Sequence, residues 1–361
     1  MLTILPLVSK FCYNDRALST IHFLMHGTML MNWNLLALVA VTFVGTLVLT
    51  PVAGAIANRL NIVDRPGGRH QHARVIPKLG GLSIYISLSV VALLSLGRST
   101  RLLEILGVGF IFLLIGIIDD AFHLTPWTKL FGQLAGAIVL VMCGVTISSF
   151  GNPLTTQLYS LGGLAMLVTV LWIVSTVNIV NLTDGIDGLV SGLTIISGIV
   201  LAILSFKTGH PNTGKLTLIF VGAVAGFWVY NFYPAKIFLG DSGSMLIGFM
   251  LAVLGFQGGA KIATAFLVLG VPILDAGLIV AYRFLSHRPI YQGDRNHLHF
   301  RLLDSGMSQI KVCLLLYGVS AILGAIALLV PGKQKMLTLA LFAITFVIGW
   351  ALLWRYEKRL K

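Results

Sequence analysis

The sequence predicts an all-α, polytopic integral membrane protein with about eleven transmembrane helices. Three observations support this prediction: of the 361 residues 57% are hydrophobic, only 10% are charged, and the mean hydropathy is +0.94. A soluble globular domain carries about 25% charged residues, and a disordered chain lacks the apolar content seen here. The composition therefore excludes both of those classes.

The individual helices are predicted from runs of about 20 mostly apolar residues that end at Gly, Pro or charged residues. Two of the runs, 82–97 and 190–205, are short. The predicted segments are 33–57, 82–97, 102–118, 130–149, 159–177, 190–205, 216–231, 239–254, 262–285, 312–330 and 336–354. We interpret residues 33–361 as a single transmembrane domain and residues 1–32 as an N-terminal arm of unknown role.

The orientation follows from the basic residues, which give the chain a net charge of +13. Lys and Arg are more frequent in one alternate set of loops, which includes 58–81, 119–129 and 286–311, and the positive-inside rule places this set in the cytoplasm. Most acidic residues lie in or beside the same loops, so we expect an active-site cleft at the cytoplasmic face. Topology and anionic lipid headgroups account for the positive charge, so membrane lipids are expected partners and nucleic acid is not. The three cysteines have no metal-site or disulfide spacing.

In chain order, the first candidate residues lie in the loop from Asp64 to Gly81. Its cations include Arg69 and Lys78, which are suited to contacts with a diphosphate or with lipid headgroups. The sequence does not separate these two interpretations.

Asp119 and Asp120 end the apolar run GFIFLLIGII. A carboxylate costs about 2.5–3.5 kcal/mol at the bilayer centre and less near the interface, so this pair should face a polar cleft that holds a cation. Mg²⁺ takes oxygen ligands and is usually bound through one or two carboxylates plus substrate phosphates. The alternative is a solvated helix end. Lys129, which ends the following segment AFHLTPWTK, is a further candidate for binding substrate.

A second motif places polar side chains at every third position, at Asn178, Asn181, Asp184 and Asp187. On a helix, neighbouring members of this series line one face. Glycines directly follow both acids and permit a ligand to approach the backbone closely. Core packing hardly accounts for four polar groups in so apolar a chain.

The third motif, Gly240-Asp241-Ser-Gly-Ser244, opens an apolar run. Asp241 at this position suits a helix N-cap, and it equally suits a ligand for the metal of a bound phosphate.

The fourth motif runs from Asp294 to Arg301 and contains His297 and His299. Zinc would need a third protein ligand that this spacing does not supply, so binding of an anionic substrate is the better interpretation. A solvated basic loop is the alternative. Asp275 lies inside a predicted span near Pro272, and its role stays open.

Acids, histidines and arginines on one membrane face suit phosphoryl transfer between a water-soluble donor and a partner held in the bilayer. A secondary transporter is the alternative from another class. Its site would lie near the bilayer midplane between repeats, and no repeat is visible in the sequence.

Four motifs carry a resemblance to a known family: the pair Asp119-Asp120, the series from Asn178 to Asp187, Gly240–Ser244, and the segment from Asp294 to Arg301. In this order they resemble the polyprenyl-phosphate N-acetylhexosamine-1-phosphate transferases, the superfamily that includes phospho-MurNAc-pentapeptide translocase. The resemblance spans roughly residues 58–305. It implies transfer of a sugar 1-phosphate from a UDP-N-acetylhexosamine to undecaprenyl phosphate at the bacterial cytoplasmic membrane, with release of UMP. It also implies Mg²⁺, or Mn²⁺, as the cofactor, and a possible homodimer.

The resemblance also implies roles for individual residues of this chain. Asp119 would be the base on the lipid phosphate, and Asp120 would support the metal or the nucleotide. The catalytic set would be Asp119, Asp120, Asp184 and Asp187; the metal would be held by Asp241 with Asp120; the substrates would be held by Asn178, Asn181, Lys129, His297, His299, Arg301, Arg69 and Lys78.

Two departures from the patterns of the family lie in the fourth motif. The translocase branch has three successive histidines, whereas Leu298 separates His297 from His299 here, and Phe300 stands where many sugar-transferring members have a further histidine. The segment therefore favours an N-acetylhexosamine donor over a muramyl-peptide donor, and our hypothesis for that donor is UDP-GlcNAc. Another N-acetyl sugar and muramyl-pentapeptide transfer remain alternatives, as do direct attack and an aspartyl intermediate.

Overall fold

The computed structural model describes residues 33–66, 74–151, 157–259, 262–287, 296–330 and 332–360. The predicted arm 1–32 and the candidates Arg69 and Asp294 lie outside these residues. The helices are α1 (Trp33–Arg59), α2 (Gly80–Ser95), α3 (Thr100–Phe122), α4 (Pro126–Met142), α5 (Ala165–Thr183), α6 (Leu189–Lys207), α7 (Pro211–Asn231), α8 (Gly240–Gln257), α9 (Ile262–Val268), α10 (Gly270–Leu285), α11 (Leu298–Asp304), α12 (Gln309–Leu329) and α13 (Gly332–Leu360).

Two short antiparallel ribbons accompany the helices. One pairs β1 (Val63–Asp64) with β2 (Ile76–Pro77), and the other pairs β3 (Ser149–Gly151) with β4 (Leu158–Ser160). The remaining regular structure of the described residues is helical, which confirms the all-α prediction.

A helix lies on every predicted apolar segment, but the count of eleven spans is not confirmed. Within the described residues, seven helices are long and apolar enough to cross a membrane: α1, α3, α5 with the turn before it, α6, α7, α12 and most of α13. Helices α2 and α4 are apolar but have only 16 and 17 residues. A perpendicular span needs about 20 residues, so length alone separates them from the seven.

Three boundaries differ from the prediction for local reasons. Helix α4 starts earlier than residue 130, because Thr125 caps it by accepting a hydrogen bond from the Thr128 amide and Pro126 occupies its first turn. The segment 159–177 begins in strand β4, and its helix continues to Thr183. The segment 262–285 consists of two helices that meet at Leu269. Pro272 has no backbone N–H and fits only in the first turn of a helix, so the second helix begins just before it.

Helix α8 lies at the centre of the bundle, where it contacts α2, α3, α5 and α6. Its side chains from Ser242 to Gly255 are all buried, as expected for a helix that is apolar all round. The first turn of α8 passes very close to α3, because a Cβ at Gly116 would clash with the backbone of Asp241 and Ser242. This close approach places Asp241 beside the end of α3.

Candidate active site

Lys129 lies at the centre of a cluster formed by the ends of four helices. Its ammonium is 2.7 Å from the Asp119 Oδ2 at the end of α3, and it also contacts Asp241 Oδ1 at the start of α8. It donates a third hydrogen bond to Asn181 Oδ1 at the end of α5, at 3.3 Å. The structure therefore brings together four predicted residues from three of the sequence motifs and the segment after Asp120.

Asn181 completes this cluster from the other side. Its amide nitrogen donates to Asp241 Oδ1 and, at 2.7 Å, to Ser244 Oγ. The Asp241 side chain therefore faces Lys129 and Asn181, and the alternative that it caps its own helix is wrong. No side chain at the N-cap position, Leu239, supplies the cap either.

Asp120 supplies that cap from another helix. Its two carboxylate oxygens accept hydrogen bonds from the backbone amides of Asp241, at 2.9 Å, and Ser242, at 3.0 Å. These contacts anchor the first turn of α8 to the end of α3. The predicted metal-ligand role of Asp120 stays a prediction, and the contacts that the structure shows are those of a helix cap.

Asn178 lies one turn deeper in α5 than Asn181. Its amide nitrogen donates to Gln133 Oε1 at 2.6 Å and to the Val174 carbonyl at 2.8 Å. Gln133 is fully buried and lies one turn after Lys129 in α4. This pair links α4 to α5 below the cluster, and sequence reasoning missed it, although Lys129 and Gln133 have the i, i+4 spacing that places two polar groups on one helix face.

The turn between α5 and α6 carries Asp184 and Asp187. The Asp187 Oδ2 accepts a hydrogen bond from the Ala235 amide at 2.9 Å and so anchors the segment that precedes α8. Burial, and then the charges of Asp241, Asp120 and Asp187, raise the pKa of Asp184 to about 8. The Asp184 carboxyl therefore largely keeps its proton near neutral pH, because burial and the neighbouring acids disfavour its charged form.

Lys78 lies on the same side, beside Asp184, whose pKa its charge lowers. Its ammonium is 3.0 Å from Asp64 Oδ1, and its backbone forms a bridge with Phe238, two residues before α8. Lys78 thus belongs to the rim of the cluster. Arg69, predicted to act with it, lies outside the described residues.

The histidine segment, residues 296–304, lies against the Asp184–Asp187 turn. A Cβ at Gly185 would overlap the His299 ring, so only glycine permits this contact. The His299 and His297 rings stack with centroids 5.5 Å apart. Arg301 donates to the Asn296 carbonyl at 2.9 Å, and its guanidinium lies 4.3 Å from the centre of the Trp350 ring. All three predicted side chains are buried, and Trp350 is a neighbour that sequence reasoning missed.

Whether the cluster suits a divalent cation follows from its donor set. Among the described residues, no three carboxylate, imidazole or thiol groups surround one metal position. A dedicated protein cage is therefore not present in that part of the chain. Mg²⁺ is usually bound by one or two carboxylates, with the remaining ligands from substrate phosphates and water, and Asp241 beside Asp119 and Asp184 fits that mode.

Comparison with known proteins agrees with this geometry. The family model described as glycosyl transferase family 4 matches residues 102–259, which include Asp119, Lys129, Asn181 and Asp241. The chain is 35% identical to a Bacillus subtilis protein described as a probable undecaprenyl-phosphate N-acetylglucosaminyl 1-phosphate transferase, over 85% of this chain and 87% of the relative.

Two further relatives have related descriptions. The decaprenyl-phosphate N-acetylglucosaminephosphotransferase of Mycobacterium leprae is 34% identical over 78% of this chain and 80% of its own length. The phospho-N-acetylmuramoyl-pentapeptide-transferase of Staphylococcus aureus is 32% identical over 83% of this chain and 98% of its own length. The three descriptions share a sugar-phosphate transfer reaction.

Proposed function

The chain belongs to glycosyl transferase family 4, the polyprenyl-phosphate N-acetylhexosamine-1-phosphate transferases, and we propose that it transfers GlcNAc-1-phosphate from UDP-GlcNAc to undecaprenyl phosphate. It is a multi-pass membrane enzyme that transfers a sugar phosphate to a polyprenyl phosphate, and this membership removes the transport alternative. The product would be a lipid-diphosphate sugar that initiates a cell-surface glycan, formed at the cytoplasmic face of the bacterial inner membrane.

The observation that carries the proposal is the contact of Lys129 with Asp119, Asp241 and Asn181 at one end of the bundle. Phosphoryl transfer requires negative phosphates to be held in line while charge is neutralised, and it requires little covalent chemistry from the protein. Lys129 supplies a positive charge for phosphate oxygens, and the carboxylates of Asp119 and Asp241 supply negative charge for a proton or a metal ion. The histidine segment lies nearby.

In the proposed reaction, an oxygen of the lipid phosphate attacks the sugar-linked phosphorus of the donor. The bond between that phosphorus and the bridging oxygen breaks, and UMP leaves with the bridging oxygen. Asp119 accepts the proton of the lipid phosphate, and Lys129, freed from part of its carboxylate contacts, binds phosphate oxygens. Asn181 holds the Asp241 carboxylate in place.

Mg²⁺, or Mn²⁺, is the proposed cofactor, with Asp241 as its protein ligand. When bound there, the ion would neutralise diphosphate charge and stabilise the departing UMP. His297, His299 and Arg301 would hold the donor's diphosphate, and Asp184 would face the same pocket.

The donor assignment is the finest part of the proposal. The Bacillus and Mycobacterium relatives have N-acetylglucosamine in their descriptions, and the histidine segment departs from the three-histidine pattern of the muramyl-peptide branch. Muramyl-pentapeptide transfer remains the second candidate, because the Staphylococcus relative matches over a similar share of the chain.

The test is product analysis by mass spectrometry. Purified protein is incubated with undecaprenyl phosphate and Mg²⁺ and, in parallel, UDP-GlcNAc, UDP-GalNAc or UDP-MurNAc-pentapeptide, each with and without a chelator. We expect a chelator-sensitive GlcNAc-diphosphate lipid together with UMP. A lipid product from the muramyl donor alone would replace the donor assignment, and no product from any donor would contradict the proposed function.

The same reaction separates direct attack from an aspartyl intermediate. Initial rates measured against both substrates should give intersecting reciprocal plots for direct attack. Parallel plots, together with a trapped phosphosugar on an aspartate, would establish the two-step route instead.

A further inference from the structure

Asp275 is a buried acid in α10 that neither the sequence motifs nor the reaction above uses. Only 3% of the residue is exposed, and it lies one turn into a helix that packs against α5 and α12. A carboxylate in such a place is costly unless its oxygens accept hydrogen bonds. Its partners therefore show what it does.

Within the part of the chain that the structure describes, both hydrogen-bond partners of Asp275 belong to the histidine segment. Its Oδ2 lies 2.8 Å from His297 Nδ1, and its Oδ1 accepts the backbone amide of Leu298 at 2.7 Å. One carboxylate thus holds a side chain and the adjoining main chain of the same segment. The segment cannot slide or rotate relative to α10 without breaking one of these bonds.

The contact also selects a form of the imidazole ring. An ionised aspartate accepts hydrogen bonds and cannot donate them, so the proton on His297 Nδ1 points at Asp275. The other ring nitrogen, Nε2, is then directed away from Asp275 with a fixed ring orientation. Acids that bond the far nitrogen of a working histidine fix its tautomer in this way in metal sites and in hydrolases.

The orientation of His297 passes on to its neighbour. His299 stacks on His297 with ring planes 15° apart, and it lies against Gly185 in the turn that carries Asp184. A change in the His297 ring would therefore move the second histidine relative to the acids.

We propose that Asp275 is a positioning residue that fixes the tautomer and orientation of His297 for binding the donor's diphosphate. This inference rests on the proposed function, in which the histidine segment binds the donor. Asp275 itself touches neither substrate. Its effect is predicted to reach the reaction entirely through His297.

The test is a double-mutant cycle of Asp275→Asn and His297→Gln, with steady-state kinetics measured separately for donor and lipid acceptor. An asparagine presents one acceptor oxygen and one NH₂ group, so it cannot accept from both partners and favours the other tautomer. We expect Asp275→Asn to lower kcat/KM for the donor by about 10- to 100-fold, with the KM for the acceptor unchanged. In the His297→Gln background, the same change should cost less than about threefold, because the group it orients is absent.

Two further variants keep the result decisive. Asp275→Glu retains the carboxylate but moves it by one methylene, and its loss should also vanish in the His297→Gln background. Glu104→Gln changes an acid that pairs with Arg101 at the start of α3, outside the cluster, and should leave kinetics and thermal unfolding unchanged. Thermal unfolding of every variant in detergent reports the fold.

Each remaining outcome overturns the proposal in a distinguishable way. If the wild type is active and the losses in kcat/KM caused by Asp275→Asn and His297→Gln are additive in free energy, Asp275 acts independently of His297. Failure of both Asp275 variants to fold would make the residue structural. A wild-type protein that forms no product from any donor would overturn the proposed function and this inference together.

Discussion

Lys129 and Asn181 contact the Asp241 carboxylate at the start of α8, and the backbone amide of Asp241 donates a hydrogen bond to the Asp120 carboxylate. This arrangement directs the side chain into the cluster, where a metal ion held by the donor's phosphates would meet it. An aspartate whose role were only local would bond the amides of its own helix, and the structure shows the contrary.

The first prediction concerns this residue. Asp241→Asn keeps the size of the side chain and leaves the helix intact, but it removes the charge that holds a divalent cation. Turnover should therefore fall by more than about 100-fold, which corresponds to about 3 kcal/mol. The remaining rate should not depend on Mg²⁺. The measurement is product formation against Mg²⁺ concentration, with thermal unfolding as the check on the fold. An active variant that still requires Mg²⁺ would remove Asp241 from the metal site.

Asp184 carries the second prediction. Its pKa of about 8 means that its carboxyl is largely neutral at pH 7 and becomes charged as the pH rises through that value. A cation in the cluster should therefore bind more tightly as the pH rises from about 6 to about 9, since proton and cation compete. Binding of Mn²⁺, followed by its electron paramagnetic resonance signal, measures this directly.

The control for that pH dependence is Asp184→Asn, which removes the titrating group and should flatten the curve. The exposed Asp304→Asn should leave it as in the wild type. A wild-type affinity that does not change over this range would contradict the assignment of the cation to this pocket.

At the scale of elements, acids from other parts of the chain hold the start of α8, the segment before it and the histidine segment. Asp120 caps α8 from α3, Asp187 anchors the segment before α8, and Asp275 holds the histidine segment. A helix has four amides without intrahelical partners at its N-terminus, and buried amides must find acceptors. These acids thus stabilise the arrangement of the cluster as well as carrying negative charge to it.

The third prediction follows from the cap. Asp120→Asn retains one acceptor for two amides, so the free energy of unfolding should fall by about 1–2 kcal/mol, and affinity for Mn²⁺ should weaken because Asp241 is displaced. Thermal unfolding in detergent and Mn²⁺ binding are the two measurements. Unchanged stability with lost metal binding would instead support Asp120 as a metal ligand.

The fourth prediction concerns the contact between α3 and α8. A Cβ at Gly116 would overlap the backbone of α8, which cannot move without shifting Asp241. Gly116→Ala should therefore destabilise the protein by about 1–3 kcal/mol and reduce activity.

Gly107 on the same helix provides a matched control. A Cβ there meets no atom within 4 Å, so Gly107→Ala should be neutral or stabilising by up to about 1 kcal/mol, since alanine favours the helix. Equal effects of the two substitutions on thermal unfolding would mean that the close approach of α3 to α8 does not matter for stability.

At the scale of the whole molecule, the cluster lies at one end of the bundle, and α4 connects that end with the other. Lys129 is near the start of α4 and Cys143 follows its end, about 21 Å away at 1.5 Å per residue. Cys143 is exposed. The predicted span 130–149 and the orientation predicted from the basic loops together predict that Cys143 faces the outside of the cell.

The fifth prediction tests this orientation. In a protein whose other cysteines are replaced by serine, Cys143 should react with a membrane-impermeant thiol reagent in intact cells. A matched protein with Cys143 replaced and Thr128→Cys, an exposed position beside Lys129, should react only after permeabilisation. The reverse pattern would place the cluster on the outside and contradict the proposed access of a cytoplasmic UDP-sugar.

Much of the fold was accessible from the sequence because a bilayer requires long apolar helices whose backbone groups bond internally. That requirement explains why a helix lies on every predicted segment. The misplaced boundaries lie where local signals outweigh hydropathy, as at the Thr125-Pro126 cap of α4 and at the break between α9 and α10. Whether α2 and α4 cross the membrane depends on tilt and packing, which hydropathy does not contain.

By itself, the sequence determined that the chain is a helical membrane protein and that its polar residues cluster at helix ends on one side, since both follow from the local order of residue types. Only the tertiary structure decided what each acid contacts. The role of a carboxylate depends on which donors occupy its oxygens, and these donors lie far away along the chain, as Asp241 does from Asp120 and His297 from Asp275. For that reason adjacent acids such as Asp119 and Asp120 differ: one contacts the lysine of the cluster, and the other holds the helix that carries Asp241.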